Sequence, residues 1–288
     1  MKTVCLAFVL ALAATSRLSA QVTVKVVMPE DQFLPGEAIV AEAQIVNRSG
    51  QTLNLGSEDN WLTFSVEAHD NNFVVSKNGD VPVKEPFALQ TGERAKRSVD
   101  LQPYFSLNKP GRYTVTATVI IRQWGQQLTS DPASFDIIEG SKVWEQDFGV
   151  PRGTNNTAPP EVRKYILQQA NYLHTRLRLY VRVTDAAGRT FKVVPVGPYL
   201  SFSDPEPQLD KLNRLHLLYQ DGAHSFSYTV FNPDGDMIKR EAYDFTTRPR
   251  IQLDKDGNLT VVGGNRHPKP DDIPPMQASA DDAKTGQP

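Results

Sequence analysis

Pro110-Gly111-Arg112-Tyr113-Thr114-Val115-Thr116-Ala117-Thr118-Val119 decides the fold class of the first half of this chain. A Pro-Gly turn is followed by strict alternation, with Tyr113, Val115, Ala117 and Val119 on one face. Period-two alternation beside a turn signal predicts a half-buried β-strand. The pattern continues outward. Val22, Val24 and Val26 alternate with Thr23 and Lys25. Leu34-Pro35-Gly36-Glu37 reads as a turn, and Ile39, Ala41, Ala43 and Ile45 as the inward side of the next strand. Asn47-Arg48-Ser49-Gly50 turns into Leu53-Asn54-Leu55. Leu62, Phe64, Val66 and Ala68 form the buried set of a further strand, interleaved with Trp61, Thr63, Ser65 and Glu67. Shorter segments follow at Phe73-Val74-Val75, Phe87-Ala88-Leu89, Ser98-Val99-Asp100-Leu101 and Phe135-Asp136-Ile137-Ile138. Short strands at this density, separated by turns, predict one all-β sandwich domain over 22–139.

Three motifs carry a resemblance. Pro35-Gly36-Glu37 precedes an alternating strand, Asn47-Arg48-Ser49-Gly50 follows it, and Pro110-Gly111-Arg112-Tyr113-Thr114-Val115 comes late in the domain. Together they are similar to bacterial immunoglobulin-like domains. The resemblance implies a sandwich in which Tyr113 is a structural corner residue and Trp61 is a candidate for the core tryptophan. The buried cysteine pair of antibody-type domains is absent. This architecture hosts many unrelated roles, so the resemblance implies no particular activity.

The N-terminus reads as a secretory signal, residues 1–20. Lys2 is followed by the apolar run Cys5–Ala14, too short to span a bilayer, and Leu18-Ser19-Ala20 ends in a small residue before Gln21. Cleavage there removes Cys5, the chain's one cysteine, so the mature protein has no disulfide or thiolate chemistry. It leaves about 268 residues, enough for two ordinary domains. The full chain has 31 basic and 33 acidic residues. Losing Lys2 and Arg17 makes the mature chain about four charges negative, which argues against nucleic acid or an anionic membrane as partner. No other stretch is long and apolar enough for a membrane span. These features predict export to the periplasm or the extracellular space of a bacterium. The sequons at Asn47, Asn155 and Asn258 would matter only in a eukaryotic host.

Residues 140–162 read as a linker, rich in Gly, Pro and Asn, with Trp144 and Phe148 packing back onto a domain. Residues 163–264 are again β-rich. Leu177, Leu179, Val181 and Val183 alternate with Arg176, Arg178, Tyr180 and Arg182, and the arginine row reads as a strand face. Arg163–Leu173 fits an extended segment better than a short helix. An approximate repeat of about 45 residues relates Tyr180–Gly188 to Tyr228–Gly235, and Leu209–Leu215 to Leu253–Leu259. Together with Asn213–Gln220 and Arg248–Ile251, this weakly resembles blades of sialidase-like β-propellers. A closed propeller needs at least about four blades. The repeat therefore predicts either a small open antiparallel sheet pair or one whose edges meet another chain or a second copy. The Pro-rich residues 265–288 read as a disordered tail.

No catalytic residue is assigned. There is no Gly-x-Ser-x-Gly, no Walker pattern, and no box of the Ser-x-Asp-x-Gly-x-x-Trp kind. His69, His174, His216, His224 and His267 are scattered without metal-ligand spacing, and His216 reads as a surface or partly buried strand residue. Asp234/Asp236 and Asp254/Asp256 flank glycines in a pattern shared by calcium loops and Asp-Gly hairpins. The missing distal glutamate favours hairpins. No metal or cofactor is therefore assigned, and binding residues stay unassigned. The function expected is a non-enzymatic interaction or structural protein with a protein partner. Two alternatives remain: glycan binding, with Tyr199, Tyr219, Tyr228 and Tyr243 as candidate stacking surfaces, and a hydrolase with an unrecognised site.

Overall fold

The computed structural model describes residues 22–69, 74–150 and 160–274. The signal segment 1–20, Asn155, Phe73 and residues 275–288 lie outside them. The chain is all-β, with several antiparallel sheets, and divides into two units, Met1–Ile138 and Glu139–Pro288.

The first unit contains β1 (Val22–Val27), β2 (Gln32–Phe33), β3 (Val40–Asn47), β4 (Leu53–Leu55), β5 (Leu62–Ala68), β6 (Phe87–Leu89), β7 (Arg94–Asp100), β8 (Gly111–Ile121), β9 (Gln126–Thr129) and β10 (Ala133–Ile137). One sheet has the order β1-β3-β7 and a second β2-β10-β8-β5, with β9 also on β8. A small third sheet pairs β4 with β6. Side chains from all three sheets form one core, including Ile45, Leu53, Leu62, Tyr113, Val115 and Phe135. Each such fully buried aliphatic or aromatic side chain contributes roughly 1.5–3 kcal/mol by transfer from water.

The sequence motifs of this unit are folding hardware. Tyr113 is fully buried, lies against Phe135 (centroids 5.5 Å apart), and donates its hydroxyl to the Lys109 carbonyl at 2.6 Å. The phenol thus bridges the corner into β8. Gly36 has φ 84°, and buried Glu37 accepts the Leu34 amide at 2.8 Å. Asn47 is fully buried; its amide nitrogen donates to the Gln51 and Leu89 carbonyls while its oxygen accepts from Ser49. That burial also closes the Asn47 sequon in the folded protein. Trp61 is buried, donates Nε1 to the Val83 carbonyl, and meets Phe87 edge-on.

The second unit begins earlier than the sequence suggested. Most of the expected linker is strand: β11 (Ser141–Val150) pairs with β12 (Glu161–Tyr172). The Gly- and Pro-rich flanks hid the strand; Trp144 and Phe148, expected to pack back onto a domain, lie on one face of it and pack into the core of this unit. β13 (Arg176–Asp185) and β14 (Thr190–Tyr199) complete a four-stranded antiparallel meander. A second meander follows with β15 (Glu206–Leu209), β16 (Leu215–Gly222), β17 (Ser225–Phe231) and β18 (Met237–Asp244). The two share a core of Tyr165, Leu179, Val181, Val196, Leu217 and Phe231, among others. The hairpin β19 (Arg250–Leu253)–β20 (Leu259–Val262) forms a third layer over Leu218, Phe226, Tyr228 and Val230.

This third layer is only two strands wide. The strand of the second meander beyond the apolar patch is polar on that face: Lys239, Glu241 and Tyr243 lie opposite Val230, Tyr228 and Phe226. Glu241 accepts from Tyr243 at 2.9 Å and pairs with Lys239 at 3.0 Å and Arg266 at 3.5 Å. The stack is therefore capped within the chain. The outer strands of the first meander are also protected, β11 by a bulge between Lys142 and Trp144 and β14 by Pro195 and Pro198. The tail is corrected in part as well. β21 (Asn265–Arg266) joins β18, and Ile273 pairs with Arg240, because Arg266–Asp272 and Arg240–Asp271 ion pairs fasten this Pro-rich segment.

Candidate binding site

Connections of the second unit gather at two ends of its strands. One end carries four turns of the same chemistry. In the β15–β16 turn, Asp210 Oδ1 accepts the amides of Leu212 and Arg214, both at 2.9 Å, and the Asp210 amide donates to the Arg214 carbonyl at 3.1 Å. Asp185, Asn232 and Asp254 make the equivalent bonds in the β13–β14, β17–β18 and β19–β20 turns. Each turn places a left-handed residue three positions on: Gly188, Asn213, Gly235 or Gly257. Asp and Asn suit this role because their side chains imitate a backbone turn, and Gly accepts positive φ without a Cβ penalty. The repeat unit is thus one hairpin of about 22–25 residues, and the 45-residue period is two of them.

This chemistry accounts for the candidate calcium residues. Asp254 is held below the usual carboxylate range by the Asn258 amide, and Asp236 by Lys192. Asp234 pairs with Arg163 at 2.6 Å. Asp256 donates its amide to Asp254. Among the described residues, no three His, Cys, Asp or Glu side chains group as a metal site.

Behind this end lies a buried polar row that sequence reading missed. His216 is 5% exposed, not a surface residue. Its Nε2 is 3.2 Å from Asp210 Oδ2 and its Nδ1 is 2.6 Å from the Tyr228 hydroxyl. Burial lowers the His216 pKa, which favours the neutral ring. The carboxylate can only accept, so Nε2 carries the proton and Tyr228 donates to Nδ1. Asp210 also accepts from Arg214 Nε at 2.6 Å. Burial raises the Tyr228 pKa, keeping the phenol protonated. Tyr165 bridges two turns by donating to the Asn232 and Asn213 carbonyls at 2.7 and 3.1 Å. The spacing Asp210-x-x-x-Arg214-x-His216 was the available signal. This row fixes strands, because both ring nitrogens and the phenol are already engaged.

The opposite end is built differently. A cleft of about 470 Å³ is lined by Thr175, Arg176, Leu177, Pro198, Tyr199, Leu200, Ser201, Phe202 and Asp221. A second cleft of about 260 Å³ is lined by Phe202, Ser203, Gln220, Ala223, His224, Phe226, Phe245 and Arg248. Phe202 belongs to both and is 80% exposed, so its ring is a bare ridge between them. Phe226 and Phe245 stack with centroids 6.0 Å apart in the wall of the second cleft. Asp221 accepts from Ser225 at 2.6 Å, Ser227 at 2.7 Å and Lys269 at 3.3 Å.

The arginine row divides between these surroundings. Arg176 lines the larger cleft. Arg178 lies 3.9 Å over the Tyr172 ring, and Arg182 donates to Gln168 and Thr190. Of the tyrosines proposed as stacking surfaces, Tyr199 lines the larger cleft but is itself mostly buried, Tyr219 and Tyr228 are buried, and Tyr243 is partly buried against Glu241. Burial pushes the Tyr219 hydroxyl pKa up to about 12. The exposed rings at this end, Phe202 and Phe245, lie in irregular connections, where strand periodicity gives no signal.

No protein-family model and no curated protein matches this chain. Among solved structures, it is similar to the crystal structure of Spo0M, sporulation control protein, from Bacillus subtilis. The TM-score is 0.32 at 11% identity, covering 62% of this chain and 89% of that one. At that level the similarity carries neither a fold nor a functional assignment.

Proposed function

We propose that this chain is an exported, non-enzymatic interaction protein of the bacterial envelope or secreted space. In this reading an immunoglobulin-like sandwich is the platform, and two blade-like meanders present the binding surface to a protein partner. The observation that carries it is the bare Phe202 ridge between two clefts. Water-exposed aromatic surface in a concave site is what a partner would cover. The burial of the Asp210–His216–Tyr228 row supports a non-catalytic role, since a general base must come within reach of substrate and both His216 and Tyr228 are closed off from it. The N-terminal signal pattern supports export. Tagged wild-type protein and the Phe202→Ser variant, used as bait on an envelope fraction, test the proposal. A partner retained by wild type and lost with Phe202→Ser supports it. Retention by neither, with a monomer in light scattering, refutes it.

Glycan binding is the second reading, favoured by Thr175, Ser201 and Arg176 beside Phe202 in the larger cleft. A glycan array probed with both proteins separates it from protein recognition.

A further inference from the structure

We infer that the cleft end takes a partner segment presenting a carboxylate next to an apolar side chain. Arg176 is the counter-charge and Phe202 the apolar ridge. The inference rests on the proposed protein-binding role and names the chemistry recognised there.

Charge is the first argument. The Arg176 side chain has no hydrogen-bond or ion-pair partner among the described residues, although it lines the larger cleft. The carboxylate lining the same cleft, Asp221, is already bonded to two hydroxyls and Lys269. Arg248, in the second cleft, is 44% exposed and only loosely paired, 3.8 Å from Glu206. Among the residues lining the two clefts, Arg176 therefore has no carboxylate left to balance it, and a further anion, Asp204, stands outside both linings but acts on Tyr199. A guanidinium offers a planar fork that a carboxylate matches with two parallel hydrogen bonds.

Apolar surface is the second argument. Phe202 stands between the clefts, with the stacked Phe226–Phe245 wall on one side. Aromatic and Arg side chains in such pockets are the groups that dominate protein interfaces. A neutral sugar would use a carboxylate as a hydroxyl acceptor, and Asp221 has its oxygens engaged. The occupant favoured is thus an acidic, apolar-anchored peptide segment.

A phage-displayed random decapeptide library tests this on the full chain, with wild type, Arg176→Glu and Phe202→Ser as baits. Matched circular dichroism and thermal midpoints establish that the variants fold. Wild type is expected to enrich Asp or Glu at a fixed spacing from Phe, Leu or Ile. Arg176→Glu is expected to switch that position to Lys or Arg, since reversing one charge reverses the preference it sets. Phe202→Ser is expected to lose enrichment at least tenfold. No enrichment, enrichment without an acidic position, or an unchanged preference with Arg176→Glu overturns the inference. So does binding confined to a glycan array. If the envelope bait experiment still retains a Phe202-dependent partner, the recognition chemistry fails while the binding role stands. If that retention also fails, both fall.

Discussion

The two ends of the C-terminal meanders are made from the same strands but obey different rules. At one end, four turns repeat a single hydrogen-bonding scheme, in which the leading Asp or Asn side chain accepts two amides. At the other, irregular connections leave a bare phenylalanine and an uncompensated arginine beside two clefts. Repetition belongs to folding; departures from it mark the surface free to bind something else. If that division is right, substitutions at the turn end should change stability, and substitutions at the cleft end should change binding.

The largest stability effect is expected for Asp210→Ala. It removes acceptors for two amides, Arg214 and His216 at a side chain only 7% exposed. A loss of about 3 kcal/mol in urea unfolding is expected, because the donors are stranded. Asp210→Asn keeps the turn acceptor and should lose roughly half as much. A cost below about 1 kcal/mol for Asp210→Ala would break the comparison.

Acid should expose the same row. The folded His216 pKa lies below its usual value, mainly because of burial. The unfolded chain therefore binds the proton first. Stability is present above about pH 6.5 and declines as pH falls through that value towards the folded pKa. Asp210, whose pKa is lowered by its hydrogen-bond donors against the opposing effect of burial, adds its own loss only below about pH 4. Urea midpoints at pH 7 and pH 5 should differ less in His216→Gln than in wild type. Equal differences would remove His216 from the account.

Two glycines give a graded test. A Cβ at Gly235 would sit 3.0 Å from Val183 at φ 85°, whereas at Gly188, with φ 82°, it would meet nothing within 4 Å. Both alanines are strained, but Gly235→Ala should cost about 2 kcal/mol and Gly188→Ala about 1 kcal/mol. The reverse order would mean that backbone strain alone governs these turns. The smallest stability effect is expected for Phe202→Ser, within about 0.5 kcal/mol, since its ring is mostly in water. A larger loss would make that ring part of the fold.

The sequence was readable where local chemistry repeats. Alternation located β8, with Tyr113 on its buried face and bonded back to Lys109, and Asp-Gly pairs marked hairpins. It was opaque where distance in space decides. Trp144 and Phe148 lie in a strand because β12 receives it, and the Gly- and Pro-rich flanks concealed that. Residues 265–274 are held by ion pairs to β18, which composition does not record. His216 read as a surface or partly buried residue, and its burial depends on the turn before it, which folds Asp210 back onto its ring. The Phe202 ridge had no periodicity to betray it, since binding surfaces on connections are not written as patterns.

The five-residue turns also bear on the order of folding. Each closes with bonds inside its own few residues, and the meanders pair strands that are neighbours in sequence. In the first unit, by contrast, β2 pairs in parallel with β10, joining Gln32 to Asp136 across about a hundred residues. Fold assembly slows as contacts span more of the chain. The C-terminal unit should therefore acquire amide protection before the N-terminal one in pulsed hydrogen exchange, although it is synthesised after it.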